Sequence, residues 1–450
     1  MPESRRSAFP PLVAAVLAIA SGACDGREPG PAGGRVLLVG VDGATWRVAG
    51  PLMDAGRMPR LRELSERGAR ATLLSEAPMW SPALWTTIAT GKKRESHGIT
   101  SFTLEPPGGG APVLANSRFR RTAAIWNIAT IGKKSVDVVG WWASWPPEPV
   151  NGIVVSDRTA RERFADWTRE APAASAATVH PREIEREMRA LVLTPDAVDP
   201  ADLKALAGFT DEEIARIAGA PEAVLYDGYS VLKFAWQAQK SYARIAERLL
   251  ATRATDLTAV YLVAIDPLSH AFWQYREPEA FDGVDPGDAR RLGPIVDNAY
   301  VALDDIVGRL VDAAGPDVNV IVCSDHGFRA SGRLTKPYEA QSGEHAPDGI
   351  LLAAGPAIRK TAPGDLASEA LAPTVRDVAP TVLAILGLPS ARDMDGRVLR
   401  EILSEGAAAR VPEPIESWDR LWKRASPEAA AASPGDEAYV EQLRALGYLR

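Results

Sequence analysis

Cysteine is scarce in this 450-residue chain: only Cys24 and Cys323 occur, so no disulfide framework can carry the fold. Histidine is almost as rare, with five residues, and each position is therefore informative. Basic charge is not in excess. A formal net charge of -7 and a pI near 5.5, with no basic stripe, exclude the usual electrostatic footprint of a nucleic-acid binder. The familiar nucleotide loops are missing too, since G-V-D-G after the first apolar run lacks G-x-G-x-x-G and T-G-K-K is no Walker loop. Past the amino-terminal segment, no apolar run is long enough to span a bilayer.

That amino-terminal segment reads as a secretory signal. Arg5 and Arg6 precede an apolar run from Ala8 to Ala20, followed by Ser21, Gly22 and Ala23. The run is short for a membrane span, and Pro10 with Pro11 disturbs a helix there. Small residues directly before Cys24 look like a bacterial lipoprotein cleavage site, which makes Cys24 a lipid anchor on the exported side of the envelope; plain cleavage after Ala23 is the alternative. Residues 1–23 are thus expected to be a signal peptide, and Gly- and Pro-rich residues 24–34 a tether. Cys323, inside an apolar run, reads as a small buried residue.

What the chain does have is a repeated design. Val318 to Phe328, V-N-V-I-V-C-S-D-H-G-F, reads as a buried strand running into Asp325 and His326. Arg35 to Val41 ends in Asp42, and Ala259 to Ile265 ends in Asp266. Open α/β sheets hold their ligands beyond the carboxyl ends of parallel strands, so three acids are expected to converge there. Crowded like charges need a cation. His270 in D-P-L-S-H, His326 beside Asp325, and His345 in G-E-H-A-P complete a donor set that suits zinc or, less selectively, manganese or iron. Asp157, which closes a strand-like run at Gly152 to Ser156, imitates the pattern with no histidine close behind. His180 reads as a surface residue before Pro181, and His97 as the shaper of a turn.

Around this set, Pro59 to Gly68 is expected to form a surface helix, and Ser135 to Gly140 a strand. Residues 158–255 are Ala-, Glu- and Arg-rich and read as a helical insertion, capping the site, whose last helix near Ser230 to Thr252 packs back on the sheet. A helix rich in apolar residues from Leu303 to Val311 joins strands in a parallel, right-handed connection. A further strand follows Gly349, and Asp377 to Leu386 forms a helix ended by Gly387. The expected catalytic domain is therefore 35–157 with 256–405, trailed by a tail at 406–450 with a short helix from Tyr439 to Leu449. Trp141, Trp142 and Trp145, between two strands, read either as core or as the lining of a pocket.

The expected nucleophile lies in M-W-S-P-A-L-W-T-T-I-A-T-G, Met79 to Gly91. Ser81 before Pro82 suits a helix start, with serine at the cap, and its hydroxyl then faces the positive end of the helix. Thr86 and Thr87 are rival hydroxyls, but mid-helix they are placed to bond backbone carbonyls.

Taken in order, V-D-G with Asp42, Ser81 ahead of Thr90-Gly91, S-H-G-I, D-P-L-S-H, S-D-H-G and G-E-H resemble the alkaline phosphatase superfamily. Within it the chain is most similar to the type I phosphodiesterase and nucleotide pyrophosphatase group, over most of residues 35 to 400. The resemblance implies a sandwich with a largely parallel central sheet and helices on both faces, acting on a small phosphate ester, lipid-like or nucleotide-like. It also implies two divalent ions, one held by Asp266, His270 and His345, the other by Asp42, Asp325 and His326 with Ser81 facing it, and a phosphoseryl intermediate. Two departures stand out. Proline directly follows Ser81 instead of standing two residues on, and Phe102 occupies the place of an asparagine that touches phosphate in the group.

Phosphonate or phosphomonoester hydrolysis, and phosphoryl transfer to an acceptor alcohol, are related readings. A sulfatase is disfavoured because S-P-A-L-W lacks the proline position and arginine of C/S-x-P-x-R. A catalytically silent metal-binding protein is the reading from another class.

Overall fold

The computed structural model describes residues 34–106, 109, 112–160, 177–194, 198–220, 228–332, 342–362, 366, 372–424 and 440. The expected signal peptide, the tether with Cys24 and the closing helix lie outside the described residues, save Gly34 and Val440. Strands follow in chain order as β1 Arg35–Val41, β2 Ala69–Leu74, a small pair β3 Thr103–Leu104 and β4 Val113–Leu114, β5 Val136–Val139 and β6 Gly152–Val155. Then come β7 Val179–His180, β8 Leu257–Leu262, β9 Val318–Cys323, a hairpin of β10 Gly327–Ala330 and β11 Gly343–Ala346, and β12 Asp348–Ala354.

Eight of these make one sheet in the order β2-β12-β9-β1-β8-β5-β6-β7. From β9 through β1, β8 and β5 to β6 the strands run parallel, whereas β12 opposes both β9 and β2, and β7 opposes β6. The parallel strands are aliphatic along their whole length because both faces are covered. In β1, Leu37, Val39 and Val41 enter the core on one side, and Val36 and Leu38 the core on the other. Helices Gly228–Thr252, Ile265–Arg276 and Pro294–Ala314 bury their apolar stripes on the first side. Helices Ser81–Thr90, Ile125–Ile131 and Val378–Ile385 cover the second.

The mixed α/β sheet and its two helical layers match the expectation. Two strands of this eight-stranded sheet did not announce themselves in the sequence, nor did the short pair β3–β4 or the hairpin β10–β11. β2, A-R-A-T-L-L, buries only every second residue and carries Arg70, so it lacks the continuous apolar run of the interior strands. β7 is a two-residue edge strand inside the segment read as helical, and it holds His180 half-buried instead of on the surface. Elsewhere in that segment, helices Pro200–Leu206, Asp211–Gly219 and Gly228–Thr252 send Leu203, Leu206, Ile214, Ile217 and Leu232 into the same core as the first face of the sheet. No helix among the described residues is long and apolar enough to cross a membrane.

One buried charge has a measurable cost. Asp137 in β5 has Arg253 3.2 Å away, yet burial outweighs that partner and pushes its carboxyl up to about 6. Folding thus favours the protonated acid. The contribution to stability is present below the ordinary carboxylate range and is lost as pH rises through 6. Asp137→Asn should raise the melting temperature at pH 8, by the equivalent of roughly 3 kcal/mol, and change it little at pH 4. Calorimetry of both proteins at the two pH values checks this, and equal shifts would refute it.

Candidate active site

The carboxyl ends of β1, β8 and β9 deliver the acids. Asp42 follows β1 directly, and Asp325 and His326 follow β9 after a single serine. Asp266 was expected at the end of a strand reaching Ile265; instead β8 stops at Leu262, and Asp266 sits in the first turn of helix Ile265–Arg276. Pro267 favours that early helical position. His270 is one turn further on, so the i, i+4 spacing puts it on the same face as Asp266, with 3.5 Å from Nε2 to Oδ1. His345 was expected just before a strand and lies within β11, where the hairpin register sets it opposite Phe328.

All six residues meet. His326 is the hub, with Nε2 3.4 Å from Asp42 Oδ1, 3.6 Å from Asp325 Oδ2 and 3.7 Å from Asp266 Oδ1. His345 Nε2 lies 3.1 Å from Asp266 Oδ1 and 2.9 Å from His270 Nε2. Ligand atoms of Asp42, Asp325 and His326 fall within 4.8 Å of one another, as do those of Asp266, His326 and His345. The second trio contains His326 where the resemblance implied His270, because His326 stands between the two groups.

Each imidazole is aimed by its other nitrogen. Nδ1 of His270 donates to the Gly343 carbonyl at 2.9 Å, that of His345 to the Met79 carbonyl at 2.9 Å, and that of His326 to the Gly327 carbonyl at 3.1 Å. A carbonyl can only accept, so the proton of each neutral ring is on Nδ1 and the Nε2 lone pair points into the cluster. Without a cation this is an awkward place. Asp325 Oδ2 and His326 Nε2 are buried with no hydrogen-bond partner among the described residues. Three inward lone pairs and three buried carboxylates are a donor set that fits divalent cations of the zinc type.

The charges show the same frustration. Burial, then Asp266, raises the Asp42 carboxyl to about 7, and burial with the charges of Asp42 and Asp266 holds Asp325 well above the carboxylate range. Burial also opposes ionisation of Asp266, but His270 and His345 overcome it and hold that acid low. The same ion pairing outweighs burial at His270 and lifts its ring, whereas burial lowers His326 and His345. Three acids here cannot all ionise unaided.

Ser81 faces this cluster, its hydroxyl 3.5 Å from Asp42 Oδ1. Trp80 takes the cap position, and Ser81 is the first helical residue of Ser81–Thr90, one place later than expected. Gly91, with φ of 69°, ends the helix. The rival threonines are engaged: Thr86 donates to the Pro82 carbonyl at 2.7 Å, and Thr87 pairs with His97 Nε2 at 3.0 Å. His97 in turn accepts from the Ile99 N–H and shapes its turn as expected.

Trp85 and Tyr261 were missed. Trp85 Nε1 and the Tyr261 hydroxyl both donate to Asp42 Oδ2, the former at 3.3 Å. Tyr261 is the one polar-tipped residue in the aliphatic run A-V-Y-L-V-A-I, and a buried hydroxyl needs a partner; that was the available signal. Trp85 fits over the backbone only because residue 40 is glycine, where a β-carbon would come within 2.4 Å of the indole. Trp141, Trp142 and Trp145 are core, with Trp142 donating to the Tyr261 hydroxyl at 2.8 Å. Asp157 accepts from the N–H groups of Ala143 and Trp145, tying the loop that carries these tryptophans, and is not part of the cluster.

A family model described as type I phosphodiesterase / nucleotide pyrophosphatase matches residues 36–371. The chain belongs to this family. Members of this family are typically metal-dependent. Among solved structures, a mutant of alkaline phosphatase PafA aligns over 82% of this chain and 99% of its own, at 12% identity and a TM-score of 0.50. A 2-O GAG sulfatase aligns over 82% of this chain and 73% of its own, at 11% identity and a TM-score of 0.50. Both share the fold. Phosphonoacetate hydrolase from Sinorhizobium meliloti is 19% identical over 68% of this chain, with a TM-score of 0.39, and the phosphodiesterase-family chain spans 59% of its length. No curated protein is significantly similar.

Proposed function

We propose that the protein is a divalent-metal-dependent phosphodiesterase that works through a phosphoseryl intermediate on Ser81. The observation that carries this reading is the aim of three Nε2 lone pairs onto three buried carboxylates, with Ser81 Oγ at the rim of the same cluster. Asp266, His270 and His345 would hold one ion, and Asp42, Asp325 and His326 the other; the donor set suits zinc, with manganese or iron as substitutes. When bound, such ions supply positive charge that acidifies the serine hydroxyl and neutralises phosphoryl oxygens.

The protein's own groups do the rest. Helix Ser81–Thr90 fixes the hydroxyl at its amino end, where the helix field favours a developing alkoxide. Ser81 Oγ bonds to phosphorus as the bond to the leaving alcohol's oxygen breaks; the serine proton passes to solvent, and the leaving oxygen gains one. Water then attacks phosphorus from the side the alcohol vacated, opposite Ser81; the bond to Ser81 breaks, a proton from the water returns to the serine oxygen, and a phosphate monoester leaves. Burial of Asp42, Asp266 and Asp325 strengthens every electrostatic contact in the site.

Zinc-loaded protein is expected to hydrolyse bis(4-nitrophenyl) phosphate faster than 4-nitrophenyl phosphate, an aryl phosphonate or an aryl sulfate. Chelation should abolish the rate and zinc restore it. Indifference to chelation, or no turnover of any phosphorus substrate, sinks the proposal.

A further inference from the structure

Asp42 offers its two oxygens to different surroundings. Oδ1 faces the cluster, 3.5 Å from Ser81 Oγ and 3.4 Å from His326 Nε2. Oδ2 faces the opposite way, into aromatic core, where it accepts from the Tyr261 hydroxyl and from Trp85 Nε1. The Tyr261 hydroxyl itself accepts from Trp142 Nε1 at 2.8 Å. A hydroxyl has one proton, so with Trp142 occupying a lone pair, that proton is directed at Asp42. The alternation of β8 puts Tyr261 on the face of the sheet with Trp85, Trp141 and Trp142, and the β1–β8 register sets it beside Gly40, two residues before Asp42.

Further contacts lock the donors. Trp85 and Tyr261 meet edge to face at 5.1 Å, Trp142 and Tyr261 at 6.4 Å, and Phe102 meets Trp142 at 5.8 Å. Trp141 Nε1 donates to the Trp85 carbonyl at 3.1 Å. Every ring in the group is buried. Phe102, which stands where the resembling group has a phosphate-touching asparagine, therefore belongs to the wall behind Asp42.

Resting on the metal-dependent reading above, we infer that Tyr261 is a positioning residue: its hydroxyl, oriented by Trp142, holds Asp42 so that Oδ1 alone is presented to the cation beside Ser81. Partners that orient a metal-ligating side chain typically influence affinity by 10- to 100-fold. Tyr261 touches neither Ser81 nor the phosphate; it acts through Asp42.

The test strips wild type, Tyr261→Phe and Asp42→Asn of metal, then titrates zinc against a chromogenic competitor while recording the melting temperature of each stripped protein. Asp42→Asn should lose about one bound ion. Tyr261→Phe should keep the stoichiometry but bind that ion about 10- to 100-fold more weakly, with its stripped melting temperature close to wild type. Loaded Tyr261→Phe should lose kcat with little change in KM. If Asp42→Asn loses an ion and Tyr261→Phe binds zinc as wild type does, this inference fails alone, and a drop confined to the stripped melting temperature shows a merely structural role. If Asp42→Asn binds zinc normally, the cation reading fails and takes this inference with it. Should Tyr261→Phe not fold, Trp142→Phe carries the same readout: weakened zinc binding supports the inference, and unchanged binding overturns it.

Discussion

Ser81→Ala should lower turnover of an activated aryl phosphodiester by about four to six orders of magnitude while leaving the fold and metal content intact. The size follows from the hydroxyl's position. Ser81 Oγ is the hydroxyl that faces Asp42 Oδ1, at 3.5 Å. Thr86 and Thr87 cannot step in, because their hydroxyls, in the second turn of the helix, are committed to the Pro82 carbonyl and to His97. Acid-quenched wild type mixed with substrate should carry one phosphoryl adduct on the peptide containing Ser81, and the variant none. Residual activity within tenfold of wild type would mean that water attacks the ester directly and that Ser81 only binds it.

Much of this was readable in the chain, for a physical reason. Parallel strands buried on both faces must be continuously apolar, so an acid immediately after such a run marks the sheet's carboxyl edge; Asp42 and Asp325 were placed this way. Asp266 was placed in the right neighbourhood but on the wrong element, since V-A-I continues the apolar character of β8 past Leu262 although the backbone has already turned toward a helix. Strand β2 was invisible because half its residues point at solvent. The donors behind Asp42 escaped for another reason. Tyr261 and Trp85 come from chain segments 219 and 43 residues from Asp42, and both look like ordinary core by composition. Only the register of β8 beside β1, and the absence of a side chain at Gly40, reveal that their polar atoms reach a carboxylate. Periodicity locates the strand; it does not say what stands beyond its edge.

Asp325→Asn should cripple catalysis and, in the chelated protein, stabilise the fold. Asp325 is fully buried, receives one long contact from the Gly43 N–H at 3.4 Å, and leaves Oδ2 without a hydrogen-bond partner among the described residues. Burial, reinforced by the charges of Asp42 and Asp266, pushes its carboxyl well above the ordinary range, so the metal-free fold prefers the protonated form. That preference contributes stability at low pH, and the contribution is lost as pH rises through the elevated pKa. An amide matches the protonated acid in shape and never ionises, so chelated Asp325→Asn should melt above chelated wild type at pH 8 and close to it at pH 4. With zinc the order reverses. Wild type gains from an ion that neutralises its acids, whereas the variant has lost an anionic ligand and gains far less, and its turnover falls by at least about a thousandfold. Scanning calorimetry with and without chelator at the two pH values reads both signs. A chelated variant less stable than wild type at pH 8 would mean that Asp325 is held by packing and hydrogen bonds and not strained by charge. A cluster whose acids destabilise the empty fold and stabilise the filled one is built for cations, and the reversal of order on adding zinc is the signature that a purely structural group of acids and histidines would not give.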